Sequence, residues 1–103
     1  MFKNKSNHYI TRGVNEEIDI RLQLLMWSII DNLNEKGNVE VDYLQVFKLR
    51  KEGDLIIIEH SEEEPKYKAI YSLALEDVEL DRKMKIYVMD NGEYSNILLC
   101  EEY

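Results

Sequence analysis

The apolar positions in the first third of the chain recur with helical spacing. The segment "DIRLQLLMWSIIDNLNEKG" contains no Pro and no Gly before its last residue, and it follows a run rich in β-formers, "HYITRGV". The run predicts a strand that ends near Gly13, and the segment predicts one long helix. We expect Asn15 or Asp19 to cap this helix and Gly37 to end it.

Beyond Gly37 the apolar positions alternate with a period of two, as in half-buried strands. Strands are predicted in "DYLQVFKLR", "DLIIIEH", "KYKAIYSLAL", "KMKIYVM" and "YSNILLC", and Asn91-Gly92 is a strong hairpin signal. The centre of "DLIIIEH" should be buried on both faces. The order of elements predicts an α+β fold. One long helix in the N-terminal half packs on a curved, mostly antiparallel sheet of about five or six strands.

The predicted helix carries two apolar stripes. At about 100° per residue, the broader stripe packs on the sheet and consists of Ile18, Leu22, Leu25, Met26, Ile29 and Leu33. A second stripe lies on nearly the opposite face and consists of Ile20, Leu24 and Trp27. A one-sided surface helix carries polar residues there. Either another part of the chain covers the second stripe, or it is a candidate protein interface.

Basic residues recur along one face of several predicted strands. If these strands are neighbours, they form a basic sheet face that comprises Lys48, Arg50, Lys66, Lys68, Lys83, Lys85 and Tyr87. Basic and aromatic side chains on a sheet can bind single-stranded nucleic acid. The alternative is the ordinary solvated face of a half-exposed sheet.

Charge and length narrow the function classes. The chain has 103 residues with 21 acidic and 13 basic side chains, a net charge of −8. We expect a single globular domain over residues 1–103, with residues 1–6 mobile. The negative charge disfavours nucleic acid and acidic membranes as partners, although an acidic surface can also imitate DNA. A lone Cys and the lack of a long apolar run predict a cytoplasmic protein that does not cross a membrane.

Residues that could carry chemistry are few and scattered. His8 and His60 lie in different segments, and neither belongs to a metal-binding motif. His60 is expected at the surface, and Cys100, in an apolar run, is expected to be buried and structural. We therefore predict no catalytic residues, no metal site and no cofactor. A small hydrolase that uses Glu and His remains an alternative if both histidines border a pocket.

Five segments together resemble a known family. They are "YITRGVNEEI", "LLMWSIIDNL", "DYLQVFKL", "EPKYK" and "DNGEYSNILLCEEY", and they are similar to domain of unknown function 960, a family of small proteins from Gram-positive bacteria. The family has no established activity, so the resemblance assigns no catalytic residue. It implies a cytoplasmic accessory protein, with a mobile genetic element as one candidate location of the gene.

The sequence thus favours a non-enzymatic protein-binding or accessory module. Its partner would be another protein or a second copy of the chain. The alternatives are a nucleic-acid-related role, either through the basic sheet face or by imitation of DNA, and a small hydrolase.

Overall fold

The computed structural model describes residues 8–36, 41–63, 66–78, 80, 82–91 and 94–103. Three predictions lie outside the described residues: the helix end at Gly37, the mobility expected for residues 1–6 and Gly92 of the hairpin signal. The strands are β1 (His8–Ile10), β2 (Leu44–Glu52), β3 (Leu55–Glu62), β4 (Tyr67–Ala74), β5 (Met84–Asp90) and β6 (Ser95–Leu99). The helices are α1 (Arg12–Glu17), α2 (Ile20–Lys36) and a short 3₁₀ helix (Cys100–Glu102).

The described strands form one mixed sheet in the order β1-β6-β5-β2-β3-β4. Neighbouring strands are antiparallel except for β1, which pairs in parallel with β6. This confirms the predicted α+β fold with a mostly antiparallel sheet. The parallel pair brings the N-terminal strand next to the C-terminal one, so the two ends of the described chain meet at one sheet edge.

The helical region differs from the prediction because it contains a break. Thr11 begins α1 by accepting a hydrogen bond from the backbone N–H of Val14 at 3.2 Å. Ile18 then has extended backbone angles, φ −112° and ψ 122°, and ends α1. Asp19 begins α2 as predicted, because its Oδ1 accepts from the backbone N–H of Arg21 at 2.8 Å.

Gly13 lies within α1, three residues beyond the end of β1, so the expectation that it ends the strand is wrong. Its role is to leave space. A Cβ atom at this position would lie 2.7 Å from Oε2 of Glu102 and 2.9 Å from Cδ1 of Leu99. The C-terminal residues therefore approach the first turn of α1 through the space that a side chain would otherwise occupy.

The core lies between the helices and one face of the sheet. Each fully buried aliphatic or aromatic side chain contributes about 1.5–3 kcal/mol relative to an exposed one. The helices and the break between them contribute Val14, Ile18, Leu22, Met26, Ile29, Ile30 and Leu33. The sheet contributes residues that alternate along each strand, among them Phe47, Leu49, Ile56, Ile58, Met84, Ile86, Val88, Ile97 and Leu99.

The centre of β3 is buried on both faces, as predicted. Ile56 and Ile58 belong to the core, and Ile57, which points to the other side of the sheet, is also buried. The turn that joins β2 to β3 places Gly53 at φ +59°. Glycine adopts this left-handed conformation without steric cost, which suits the two-residue hairpin loop between Glu52 and Leu55.

His60 is buried in the core, so the expectation of a surface histidine is wrong. Its ring stacks on Phe47 with centroids 4.5 Å apart and an interplanar angle of 4°. Its Nε2 lies 2.6 Å from Oε1 of the buried Gln45. Burial lowers the pKa of His60 to about 4. The histidine is therefore neutral near pH 7 and forms part of the core.

Candidate functional site

The second apolar stripe of the helix divides into a covered part and an exposed part. Trp27 stacks on His8 of β1, with ring centroids 3.8 Å apart and an interplanar angle of 4°. It also packs against the hydrophobic core. Burial lowers the pKa of His8, while the charge of Asp31 acts in the opposite direction. Trp27 is thus covered within the chain, by the N-terminal strand.

Ile20 and Leu24 remain exposed, and we call this pair the helix patch. They lie four residues apart on α2, so their side chains are neighbours on one helix face. Ile20 is 60% exposed and Leu24 is 61% exposed. By contrast, Leu22 and Met26, each two residues further along the helix, are buried. The described part of the chain therefore leaves two large aliphatic side chains of α2 in contact with solvent.

Carboxylates lie beside the helix patch. A hollow of about 430 Å³ borders Ile20, and its lining includes Glu16, Glu17, Asp19 and Asp77. Three of these carboxylates have arginine partners at the surface: Arg12 pairs with Glu16, Arg21 with Asp19 and Arg82 with Glu17. Exposed pairs of this kind contribute little and are screened by salt. The rim of the patch is therefore polar, with acidic groups in the majority.

The C-terminal residues hold the N-terminal end of α1 in place. Oε1 of Glu102 accepts a hydrogen bond from the hydroxyl of Thr11 at 2.6 Å, and Oε2 accepts from the N–H of Gly13 at 3.3 Å. The first of these bonds is the main cause of the lowered pKa of Glu102. Arg82 bridges Glu17 and Glu101 at 2.9 and 3.1 Å. The protein's own carboxylate thus occupies the N-terminal end of α1.

The predicted basic residues come together on the face of the sheet that points away from the helices. Lys48 of β2 lies directly opposite Lys85 of β5, and Glu59 of β3 lies opposite Lys48 on its other side. A hollow of about 300 Å³ lies here, and we call it the basic hollow; its lining includes Lys48, Arg50, Glu59, Lys83 and Lys85.

Lys68 and Tyr87 lie on the same sheet face but border the basic hollow rather than line it. The ammonium group of Lys68 lies 2.7 Å from Glu59, and that of Lys85 lies 5.6 Å from the centre of the Tyr87 ring. Lys66 lies in the turn before β4, so it does not extend the strand row as expected.

Cys100 is half-buried at the start of the 3₁₀ helix, so the expectation of a fully buried cysteine is wrong. Its Sγ lies 3.5 Å from the hydroxyl of Tyr87, and Tyr103 meets the ring of Tyr87 edge-on at 5.5 Å. Tyr103 itself is 75% exposed. The C-terminal residues therefore add an aromatic side chain to the sheet face that carries the basic hollow.

The two histidines do not share a site. They lie on β1 and β3, which are four strand spacings apart in the sheet, a separation of about 19 Å. Among the described residues, no group of three or more His, Cys, Asp and Glu side chains is placed to hold a metal ion. No helix in that part of the chain has the length and apolar character that crossing a bilayer requires.

The chain is similar to proteins of unknown function in two comparisons. A family model described as "Staphylococcal protein of unknown function (DUF960)" matches residues 7–102. The chain belongs to the DUF960 family. A solved structure, described as a protein of unknown function from Enterococcus faecalis, is similar with a TM-score of 0.79 and 25% sequence identity. The match covers 100% of this chain and 98% of that one. A search of curated proteins found no match.

Sequence reasoning missed two contacts that shape these surfaces. The first is the cap of α1, in which Thr11 accepts from the backbone N–H of Val14. A threonine three residues before that amide is the sequence signal that could have found it. The contact of Glu102 with α1 had no local signal, because 89 residues separate it from Gly13. Only the parallel pairing of β1 with β6 brings these two segments together.

Proposed function

We propose that this DUF960 protein is a non-enzymatic, cytoplasmic accessory protein that binds another protein through the helix patch. The observation that carries the proposal is the exposure of Ile20 and Leu24, on a helix whose other large apolar residues contact the core. Apolar side chains that lose contact with water at the centre of an interface contribute to its binding energy. The helix patch offers such a centre.

The surroundings of the patch indicate the chemistry of the partner. Glu16, Glu17, Asp19 and Asp77 line the hollow beside Ile20. A partner with an apolar side chain flanked by Lys or Arg would match both the patch and its acidic rim, since complementary charge steers association and fixes orientation. The partner must also cover surface beyond two residues, because a stable interface buries about 800 Å² on each side.

A symmetric dimer fits this surface less well. In a two-fold interface the same patch meets itself, so the net acidic rim of one copy, with four carboxylates against three arginines, would face the same rim of the other. Net charge of the same sign on both sides disfavours this contact. We therefore favour a different protein over a second copy of this chain.

The proposal predicts that Leu24→Asp abolishes partner binding. The wild-type chain, Leu24→Asp and Ile70→Asp are each purified by affinity tag from cells of the native host. Ile70 is 60% exposed, on the other face of the molecule, and is a matched control for Leu24. One protein should co-purify with the wild type and with Ile70→Asp, and its recovery should fall at least about tenfold with Leu24→Asp.

Reconstitution from purified proteins then tests direct contact. The partner must bind the wild-type chain in a one-to-one mixture and fail to bind Leu24→Asp, while thermal melts show that both variants stay folded. If no co-purifying protein depends on Leu24, or if light scattering shows a wild-type homodimer that Leu24→Asp dissociates, the proposal is wrong.

A further inference from the structure

The basic hollow places cations together without enough local negative charge to balance them. Its lining contains Lys48, Arg50, Lys83 and Lys85 but one carboxylate, that of Glu59. Lys48 and Lys85 are direct cross-strand neighbours, so their Cβ atoms are about 5 Å apart. Like charges in this arrangement destabilise a sheet. The juxtaposition of the two lysines therefore does not itself stabilise the sheet.

The acidic groups that the structure describes near the hollow are already engaged. Glu59 lies 2.7 Å from the ammonium of Lys68 and 3.9 Å from that of Lys48. Arg50 pairs with Glu52 at 2.9 Å. Within the described residues, neither Lys83 nor Lys85 forms an ion pair. Counted over the described residues, the hollow thus holds an excess of positive charge on a chain whose net charge is −8.

The shape of this surface favours an extended ligand. The cations are spread over β2, β5 and, through Lys68, β4, which spans three strand spacings or about 14 Å. Two or three successive phosphates of an extended strand would cover this distance. Next to Lys85 stands Tyr87, and beyond it the exposed ring of Tyr103. An exposed aromatic ring beside a row of cations is the arrangement on which unpaired bases stack.

We propose that the basic hollow is a binding site for single-stranded nucleic acid. Lys83 and Lys85, joined by Lys48 and Arg50, neutralise the phosphates, and Tyr103 stacks on a base. The acidic remainder of the molecule repels duplex phosphates beyond this face, so one strand is preferred over two. This site is independent of the proposed function, because the helix patch lies on the opposite side of the sheet.

The test measures fluorescence anisotropy of a labelled single-stranded oligouridine with the purified full-length chain, from about 50 to 200 mM salt. The affinity should fall with salt, with a slope of about −2 to −3 for three or four phosphate contacts. The double variant Lys83→Gln/Lys85→Gln should bind at least about tenfold more weakly. Tyr103→Ala should weaken binding by about fivefold or more.

Matched controls separate the hollow from general electrostatics. Lys36→Gln/Lys51→Gln removes the same charge from exposed positions outside the hollow and should bind as the wild type does. Lys85→Gln also relieves the repulsion with Lys48, so the double variant should melt no lower than the wild type.

Three competing probes distinguish ligands: inorganic triphosphate, a duplex RNA of equal length, and a poly-glutamate peptide. The single strand should compete best. The proposal is overturned if the oligouridine does not bind at the lowest salt, if both double variants weaken binding equally, or if Tyr103→Ala has no effect. It is also overturned if any of the three competitors displaces the probe as well as an unlabelled single strand does.

Discussion

At the scale of single residues, His60 and Gln45 form a polar pair inside an apolar core. Nε2 of Gln45 donates to the carbonyl of Asp42 at 2.9 Å, which leaves its Oε1 to accept from Nε2–H of His60 at 2.6 Å. The pair thus sets the neutral tautomer of the histidine. Nδ1 of His60 has no hydrogen-bond partner among the described residues. Protonation would place a charge there without compensation.

This burial predicts a pH dependence of stability. The pKa of His60 is about 4 in the folded protein and about 6.5 when unfolded. The unfolded chain therefore binds a proton first as the pH falls. The contribution of neutral His60 to the free energy of unfolding is fully present above pH 6.5. It is lost progressively as the pH falls towards 4. The loss is about 3 kcal/mol in the free energy of unfolding.

Urea denaturation from pH 7.5 to pH 4 measures this loss, with His60→Gln as the test variant. The variant should be less stable than the wild type at neutral pH, and its free energy of unfolding should change less with pH. His8→Gln is the comparison, because burial also lowers the pKa of His8, although this histidine is less buried and lies on another strand. His60→Gln should reduce the pH dependence more than His8→Gln does. An unchanged pH dependence in His60→Gln would show that other groups cause it.

At the scale of elements, the sequence predicted the features that depend on residues close together in the chain. The alternation along β2 to β6, the buried centre of β3 and the Asp19 cap all follow from neighbouring residues. The break at Ile18 and the burial of His60 did not follow, because long-range contacts decide them. Gln45 reaches His60 from the neighbouring strand, and Glu102 anchors α1 from the other end of the chain.

The contact between Glu102 and α1 predicts that one substitution has different effects in two backgrounds. Ala is favoured over Gly inside a helix by up to about 1 kcal/mol, yet a Cβ at Gly13 would meet Oε2 of Glu102 at 2.7 Å. Gly13→Ala should therefore destabilise the wild type by about 1 kcal/mol. In a Glu102→Ala background the same change should cost less, because only the contact with Cδ1 of Leu99 at 2.9 Å remains. A double-mutant cycle by urea denaturation measures the coupling; strict additivity would contradict the contact.

The divided stripe of α2 gives a second prediction at this scale. Trp27→Ala removes the stacked contact with His8 and the packing against the core, and it should cost about 2–3 kcal/mol. Leu24→Ala, at an exposed position of the same helix, should change stability by less than about 0.5 kcal/mol. Thermal or urea melts compare the two. Equal losses would mean that Leu24 is covered in solution.

At the scale of the whole molecule, the exposed apolar residues of α2 and the cluster of basic residues lie on opposite sides of the sheet. The helix side carries the helix patch with its acidic rim, and the other side carries the basic hollow. The sequence predicted both groups of residues, but not which members of each group the structure separates from the rest. Trp27 is covered, unlike Ile20 and Leu24, because β1 pairs with β6 and places His8 against the Trp27 ring. The row of Lys48 and Lys85 formed because β5 pairs with β2.

The central claim, that the helix patch is a protein-binding surface, is tested most directly by site-specific photo-crosslinking. Benzoylphenylalanine replaces Leu24 in one sample and Ile70 in another, and the tagged chain is irradiated in cells of its native host. The account predicts one dominant adduct with a different protein from position 24, lost when Ile20→Asp is added, and no such adduct from position 70. The same adducts from both positions, or a dominant adduct with a second copy of the chain, would contradict it.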